Sequence, residues 1–253
     1  MTVTTALRGF SPIDLTELDR LAALRTRFDL KYAVDENVVD RLLDELPRSW
    51  RVLDIQGARE FGYASLYFDD PDHRCFHDHR RRLRRRFKVR SRGYETRTGA
   101  MLELKTKDGR GRTVKQRLTR PEPRAALTPP ECDWIDQRLA EIGLAPTARD
   151  LRPVLTIEYR RSTLVEPSLG ERLTIDLGIA SVTHGDPTAL LPRAAIVEWK
   201  SGGEQGDTAR LLRRLGPRPI GFSKYCVGLS TSVSSYGSRS RREADRDLDR
   251  QRR

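Results

Sequence analysis

The sequence predicts an α+β fold: an antiparallel β-barrel with a charged lumen and helices packed outside it. Three observations carry that expectation. First, at least five segments (27–32, 87–92, 102–107, 172–177 and 195–200) alternate with period two between apolar and charged residues, as strands with one buried face do. Second, their polar faces hold long cations with a few carboxylates, where a sheet wetted on one side usually carries Thr, Ser and Gln. Third, helix-periodic segments at 12–25, 36–46 and 131–142 are available to cover the apolar faces. Closure into a barrel removes free sheet edges and turns the charged faces inward. For any single hairpin, a half-buried sheet with its polar face in water is the better explanation of the alternation. Repetition along the chain favours the barrel.

Ser11-Pro12 reads as the start of an amphipathic helix carrying Leu15, Leu18, Leu21, Ala22 and Leu24. The strand at 27–32 sets Arg27, Asp29 and Lys31 against Phe28, Leu30 and Tyr32. Asp35 is placed to cap a helix bearing Val38, Val39, Leu42, Leu43 and Leu46, which Pro47 ends. Residues 50–55 and 61–68 read as strands joined by a turn containing Gly57. Asp69-Asp70-Pro71-Asp72 is a stop, with Pro71 suited to the first turn of a short helix ending near His79. Nine of the thirteen residues 80–92 are Arg or Lys. Within this run Lys88, Arg90 and Arg92 face one way, and Phe87 and Val89 the other. After a turn near Gly99, Glu103, Lys105 and Lys107 oppose Leu102 and Leu104. A third strand at 113–118 carries Lys115 and Arg117.

A proline-rich connection at 121–130 leads to a helix over 131–143 with Trp134, Ile135, Leu139 and Ile142 inward. Strands resume at 153–163, with Tyr159 and Arg161. At 172–177, Arg172, Thr174 and Asp176 oppose Leu173, Ile175 and Leu177; at 194–200, Glu198 and Lys200 oppose Val197 and Trp199. A short basic helix at 208–215 precedes Ser223-Lys224-Tyr225. Residues 1–26 are thus expected to form a helix packed on the body and 27–236 the folded domain. Residues 237–253, with seven Arg and four acidic residues, are expected to form a disordered charged tail.

The 253 residues are 37% apolar and 33% charged, with a net charge of +12. That excess points to a polyanionic partner: nucleic acid, a phosphate-rich ligand or an anionic membrane surface. No apolar run approaches the ~20 residues of a membrane span. No basic start precedes an apolar block at the N-terminus, so a cytoplasmic location is expected. Cys75, Cys132 and Cys226 are far apart and in no metal-ligand spacing, and read as reduced thiols. His73, His77 and His79 read as solvated surface residues rather than a metal site. There is no Gly-rich phosphate loop, so any nucleotide is held by side chains.

Cations facing one another across a lumen repel unless an anion lies between them. Arginine suits phosphate because its planar fork bonds two oxygens at once. A lumen lined from several strands suits a linear anion such as a triphosphate or a phosphate chain. The carboxylates among the cations, chiefly Glu198, either hold a divalent metal that bridges phosphate oxygens or balance nearby charge.

Eight motifs in order, R-F-D-L-K-Y, Y-F-D-D-P-D, K-V-R-S-R-G-Y, L-E-L-K-T-K, E-Y-R-R-S, R-L-T-I-D, I-V-E-W-K and F-S-K-Y, span about residues 25–226. In this order they resemble the VTC domain, the catalytic domain of polyphosphate polymerases within the triphosphate tunnel metalloenzyme (CYTH-like) superfamily. The resemblance implies a tunnel fold, ATP and polyphosphate as substrates, and Mn²⁺ or Mg²⁺ as cofactor. It implies that Lys31 contacts phosphate and that Arg90 and Arg92, with Lys88 near them, grip the phosphates of the nucleotide. Lys105 and Lys115 would add tunnel cations. Tyr159, Arg161 and Arg172 would line the far wall, with Lys200 beside them. Glu198 would hold the metal, and Ser223 and Lys224 would complete the closing motif.

Hydrolases of the wider superfamily begin with E-x-E-x-K. Here Arg27, Asp29 and Lys31 occupy that register, and a cation in place of the first carboxylate favours the polymerase. Two other readings stand beside it. A triphosphatase would act on inorganic triphosphate or a nucleoside triphosphate, but needs a positioned water and more carboxylates. A non-catalytic module would bind polyphosphate or nucleic acid, although Glu103, Asp176 and Glu198 among the cations would repel a nucleic acid on an open surface.

Overall fold

The computed structural model describes residues 3–21, 28–122, 124–183, 186–202 and 206–234. Arg27, the end of the first predicted helix and the charged tail lie outside these residues. Helix α1 (Val3–Leu7) leads into strand β1 (Ser11–Ile13) and helix α2 (Leu15–Leu21). Ser11-Pro12 therefore does not start a helix. It pairs in parallel with β3 (Arg51–Leu53), a role open to proline on a short edge strand. Strand β2 (Phe28–Asp35) runs into helix α3 (Glu36–Glu45), with Asp35 extended at the N-cap and the helix stopped before Pro47. Strand β4 (Phe61–Asp69) is followed by helix α4 (Arg74–Arg80); Pro71 lies in the preceding turn rather than in the helix.

The basic hairpin is β5 (Arg86–Tyr94) and β6 (Arg97–Lys107). Its turn falls at residues 95–96, not near Gly99. Gly99 lies inside β6 at φ +84°, where a Cβ would come 2.6 Å from the Arg120 carbonyl oxygen. The pairing shifts register between Gly93 and Tyr94, so the strand continues through a bulge. Strand β7 (Thr113–Arg120) and helix α5 (Pro129–Ala140) follow, the helix begun by a Thr128/Glu131 capping box. The second half contains β8 (Arg152–Glu166), β9 (Glu171–Thr183), β10 (Asp186–Ala189), β11 (Ala194–Ser201), α6 (Asp207–Arg214) and α7 (Lys224–Ser234).

The main path of the sheet runs β2-β11-β9-β8-β4-β5-β6-β7, and each neighbouring pair on it is antiparallel. The antiparallel α+β fold is as expected, but the barrel is not closed: among the described residues β2 and β7 do not pair. The physical reason is that both edges are protected otherwise. The Ile220 N–H donates to the Lys31 carbonyl at 2.7 Å, so a loop covers β2. On β7, exposed Lys115 and Arg117 blunt the edge against further pairing.

Helices α3 and α6 cover the back of β2, β9 and β11, burying Leu42, Leu43, Leu211 and Leu212 against Val34, Ile175, Val197 and Trp199. Ile135 and Leu139 of α5 share a core cluster with Phe87, Val89, Leu102 and Leu104. Not every helix packs outside. A Cβ on Gly228 of α7 would meet Ile157 Cδ1 at 2.6 Å, and Tyr225 stacks on Tyr67 with ring centroids 5.0 Å apart. Both partners lie on the concave side, so α7 fills one end of the concavity that sheet closure was expected to enclose. No helix among the described residues is long and apolar enough to cross a membrane.

On the outer face, Arg120 is 2% exposed and forms a paired contact with Glu131 at 2.6 and 2.7 Å. It also bonds the carbonyls of Arg124 and Ala126. Arg120→Met would strand a buried carboxylate, and a loss of about 3–5 kcal/mol is expected in chemical denaturation. An unchanged unfolding midpoint would contradict the role of this pair as the clasp between β7 and α5.

Candidate functional site in the concave face

Period-two alternation brings the charged residues of neighbouring strands into register on the concave face. Lys88 pairs across with Lys105, Arg90 with Glu103, and Glu103 with Arg117. On the opposite wall, Lys31 pairs with Glu198, Lys200 with Arg172, and Arg161 with Asp176. Lys105 feels the charges of Lys31 and Glu198 as well as those of Lys88 and Asp29, so the two walls face each other although the sheet is open.

Three carboxylates organise these cations. Glu103, 2% exposed, accepts Arg90 at 2.6 Å and Arg117 at 3.1 Å, with Lys115 in contact and Arg92 at 3.9 Å. Asp176 is fully buried and takes both nitrogens of an Arg161 fork at 2.5 and 2.8 Å, with Lys224 on the same carboxylate. Glu198 pairs with Lys200 at 2.7 Å and with Lys31 at 3.9 Å. Burial works to raise all three carboxyls, but the surrounding cations outweigh it. Asp176 falls to about 2, and Glu103 and Glu198 are held well below the usual carboxylate range.

Aromatic rings support the cations from behind. Tyr63 and Tyr159 stack at 5.3 Å and 9°. Arg161 lies over both rings at 5.4 and 5.3 Å, and Lys224 over Tyr159 at 4.5 Å. Arg90 donates to the Tyr67 hydroxyl at 3.0 Å and Arg92 to the Ser65 hydroxyl at 3.1 Å. At the start of α7, Ser223 accepts Lys88 at 2.7 Å, and Lys31 donates to the Phe222 carbonyl at 3.2 Å.

The thirteen predicted site residues thus converge on one face. Lys31, Lys88, Arg90, Arg92, Lys105, Lys115, Arg161, Arg172, Lys200 and Lys224 supply its cations, with Tyr159, Glu198 and Ser223 among them. Four contributors escaped sequence reasoning. Tyr63, Ser65 and Tyr67 of β4 carry their own period-two signal, but hydroxylated rings lack the charge that marked the other strands. The sequence context of His79 suggests a solvated surface residue. It is half-buried, and burial together with Lys88, Arg86, Lys105 and Lys31 pushes its pKa down to about 3. That places a neutral imidazole beside the lumen cations. His77 is exposed as expected, and all three cysteines are free and buried.

A divalent metal can be tested against these donors. Among the described residues no three His, Cys, Asp or Glu side chains gather as a metal-binding group. The described residues therefore offer no cage of their own. Mg²⁺ and Mn²⁺ are commonly held by one or two carboxylates with phosphate oxygens completing the shell, and Glu198 fits that limited part. Buried Thr174, paired in register with Glu198, and Tyr159 have hydroxyls without a hydrogen-bond partner among the described residues. Such orphaned groups suit an oxygen-rich ligand in the concavity.

The class of protein that the fold and site define is an open antiparallel sheet whose concave face is lined with cations from both walls. The VTC domain pattern matches residues 26–233, and the chain belongs to the VTC domain family. No curated protein matches the sequence. Among solved structures, HpAC1 from Hippeastrum, which has a dominant triphosphatase activity, is similar with a TM-score of 0.50 and 14% identity. The match covers 81% of this chain and 96% of that one. The PH1819 protein from Pyrococcus horikoshii OT3 matches with a TM-score of 0.46 and 12% identity, over 82% of this chain and 98% of that one.

Lys200 gives the site a measurable pH dependence. Burial, opposed by Glu198 and reinforced by Arg172 and Arg161, pushes it down to about 8. Phosphate bound beside it favours the ammonium and raises that value, so binding takes up protons near this pH. The affinity for inorganic triphosphate in the parent, relative to Lys200→Met, is expected to fall as pH rises through about 8. Comparison with the variant removes the ligand's own titration, and calorimetry in buffers of differing ionisation enthalpy reads the proton uptake. A parent-to-variant ratio that does not change with pH would show that Lys200 does not meet the phosphate.

Proposed function

We propose that this protein is a polyphosphate polymerase that transfers the γ-phosphate of ATP to a growing polyphosphate chain. One observation carries the choice. Glu103, Asp176 and Glu198 each accept two or more cations, which leaves none of the three free to take a proton from a positioned water. Hydrolysis requires a water to be activated. Chain extension does not, because a terminal phosphate oxygen is already anionic. That oxygen attacks the γ-phosphorus, the bond to the β-phosphate oxygen breaks, and ADP leaves. The protein's burden is alignment and charge neutralisation.

In this reading Arg90, Arg92 and Lys88 hold the nucleotide phosphates. Lys31, Lys105, Lys115, Arg161, Arg172, Lys200 and Lys224 neutralise charge along the chain, and Ser223 and Tyr159 offer hydroxyls to phosphate oxygens. Glu198 would hold Mn²⁺ or Mg²⁺, which supplies Lewis-acid neutralisation of the phosphate oxygens when bound. ATP and polyphosphate are the partners.

A triphosphatase is the second reading, favoured by the fold shared with HpAC1 from Hippeastrum and its dominant triphosphatase activity. Incubating the protein with ATP and Mn²⁺ or Mg²⁺ separates the two. Long-chain polyphosphate with stoichiometric ADP is expected. Orthophosphate without polymer would overturn the polymerase in favour of the hydrolase.

A further inference from the structure

In the concave face most cations come with a buried counter-charge. Beyond Lys88 and Lys105 that arrangement stops. Arg86 and Lys107 pair in register one step further along the same faces of β5 and β6. With Arg82, Arg84 and Arg110 they line a cleft of about 320 Å³. Among the described residues none of these five cations makes an ion pair. Arg86 instead donates to the Leu83 carbonyl. Asp108, the carboxylate nearest in sequence, is committed to the backbone N–H groups of Arg110 and Arg112 and to the Arg112 side chain.

Cations left without counter-charges repel one another, and an anion that follows the groove relieves the repulsion. The cleft is lined by cations and by Gly109 and Gly111, with no aromatic side chain. Nucleic-acid bases would have nothing to stack on, which disfavours a single-stranded nucleic acid. A phosphate chain has no bases and needs only repeated positive charge. Lys88 is engaged by Ser223 at the start of α7, but Lys105 is exposed and shares a face of β6 with Lys107, so the line of cations runs along β6 from the lumen into the cleft.

We propose that this cleft holds the distal part of a long polyphosphate chain whose terminus lies in the lumen, so that the protein favours long chains over short ones. The inference rests on the polyphosphate reading of the lumen. It adds a chain-length subsite built from side chains outside the lumen itself.

The test uses the full chain carrying Arg82→Ala, Arg84→Ala and Arg110→Ala together, with Arg110→Ala alone as a milder second variant. Binding of inorganic triphosphate, of long-chain polyphosphate and of single-stranded DNA is measured at near-physiological salt. In the triple variant the affinity for long-chain polyphosphate is expected to fall roughly tenfold or more, because several charge-assisted contacts are lost. Triphosphate affinity should stay within about twofold, since that ligand is too short to leave the lumen. Arg110→Ala alone should shift long-chain binding in the same direction by less. Unchanged affinity for both ligands would overturn the cleft while leaving the lumen reading intact. An equal loss for both would overturn it as a separate subsite. A larger loss for single-stranded DNA than for polyphosphate would reassign the cleft to nucleic acid. A parent protein that binds neither phosphate ligand would remove the function proposed above, and the cleft inference with it.

Discussion

Repulsion among cations is the constraint on which this fold depends. Lysines and arginines from strands on both walls of one sheet point into the same concavity, where solvent screening is reduced. Left alone they would force the walls apart. Glu103, Asp176 and Glu198 prevent this by standing on different strands, each accepting more than one cation. Glu103 joins β5 to β7 across β6. Asp176 joins β8 to the start of α7, and Glu198 joins β2 to β11. The carboxylates therefore link neighbouring elements as well as offsetting charge. The same pairing fixes the guanidinium forks of Arg90 and Arg161, so less side-chain freedom is lost when phosphate arrives.

Much of this was legible in the sequence because period-two alternation survives folding. Lys88, Arg90 and Arg92 share a face for the same reason that Phe87 and Val89 share the core. The metal assignment of Glu198 was less legible. Spacing shows that a carboxylate stands among cations, but not whether those cations occupy its oxygens. The structure shows Lys200 in direct contact, which leaves Glu198 as one donor in a shell that phosphate would have to complete.

That the sheet stays open was not legible either, because edge protection depends on long-range contacts. The loop that covers β2 lies far from it in sequence, and α7 occupies the concavity through Tyr225, Gly228 and Leu229, whose apolar character suits an outer helix equally well. His79 illustrates the same limit. In sequence it belongs to a basic, polar stretch, and only the fold sets it beside Lys31, Lys88 and Lys105. Tyr63 and Tyr67 were missed for the converse reason: their signal is local, but rings stacked beneath cations do not announce a polar face.

The most direct test of the account is the thermal melting of Glu103→Gln with and without inorganic triphosphate. Glu103 accepts cations from β5 and β7, and an amide cannot neutralise them. The variant is expected to melt below the parent without ligand, and triphosphate to raise its melting temperature by more than it raises the parent's, because the anion replaces the missing charge. Raising the salt should narrow that difference. A variant that melts with the parent, or a parent indifferent to triphosphate, would contradict the claim that cation repulsion, held by carboxylates and relieved by phosphate, governs this protein.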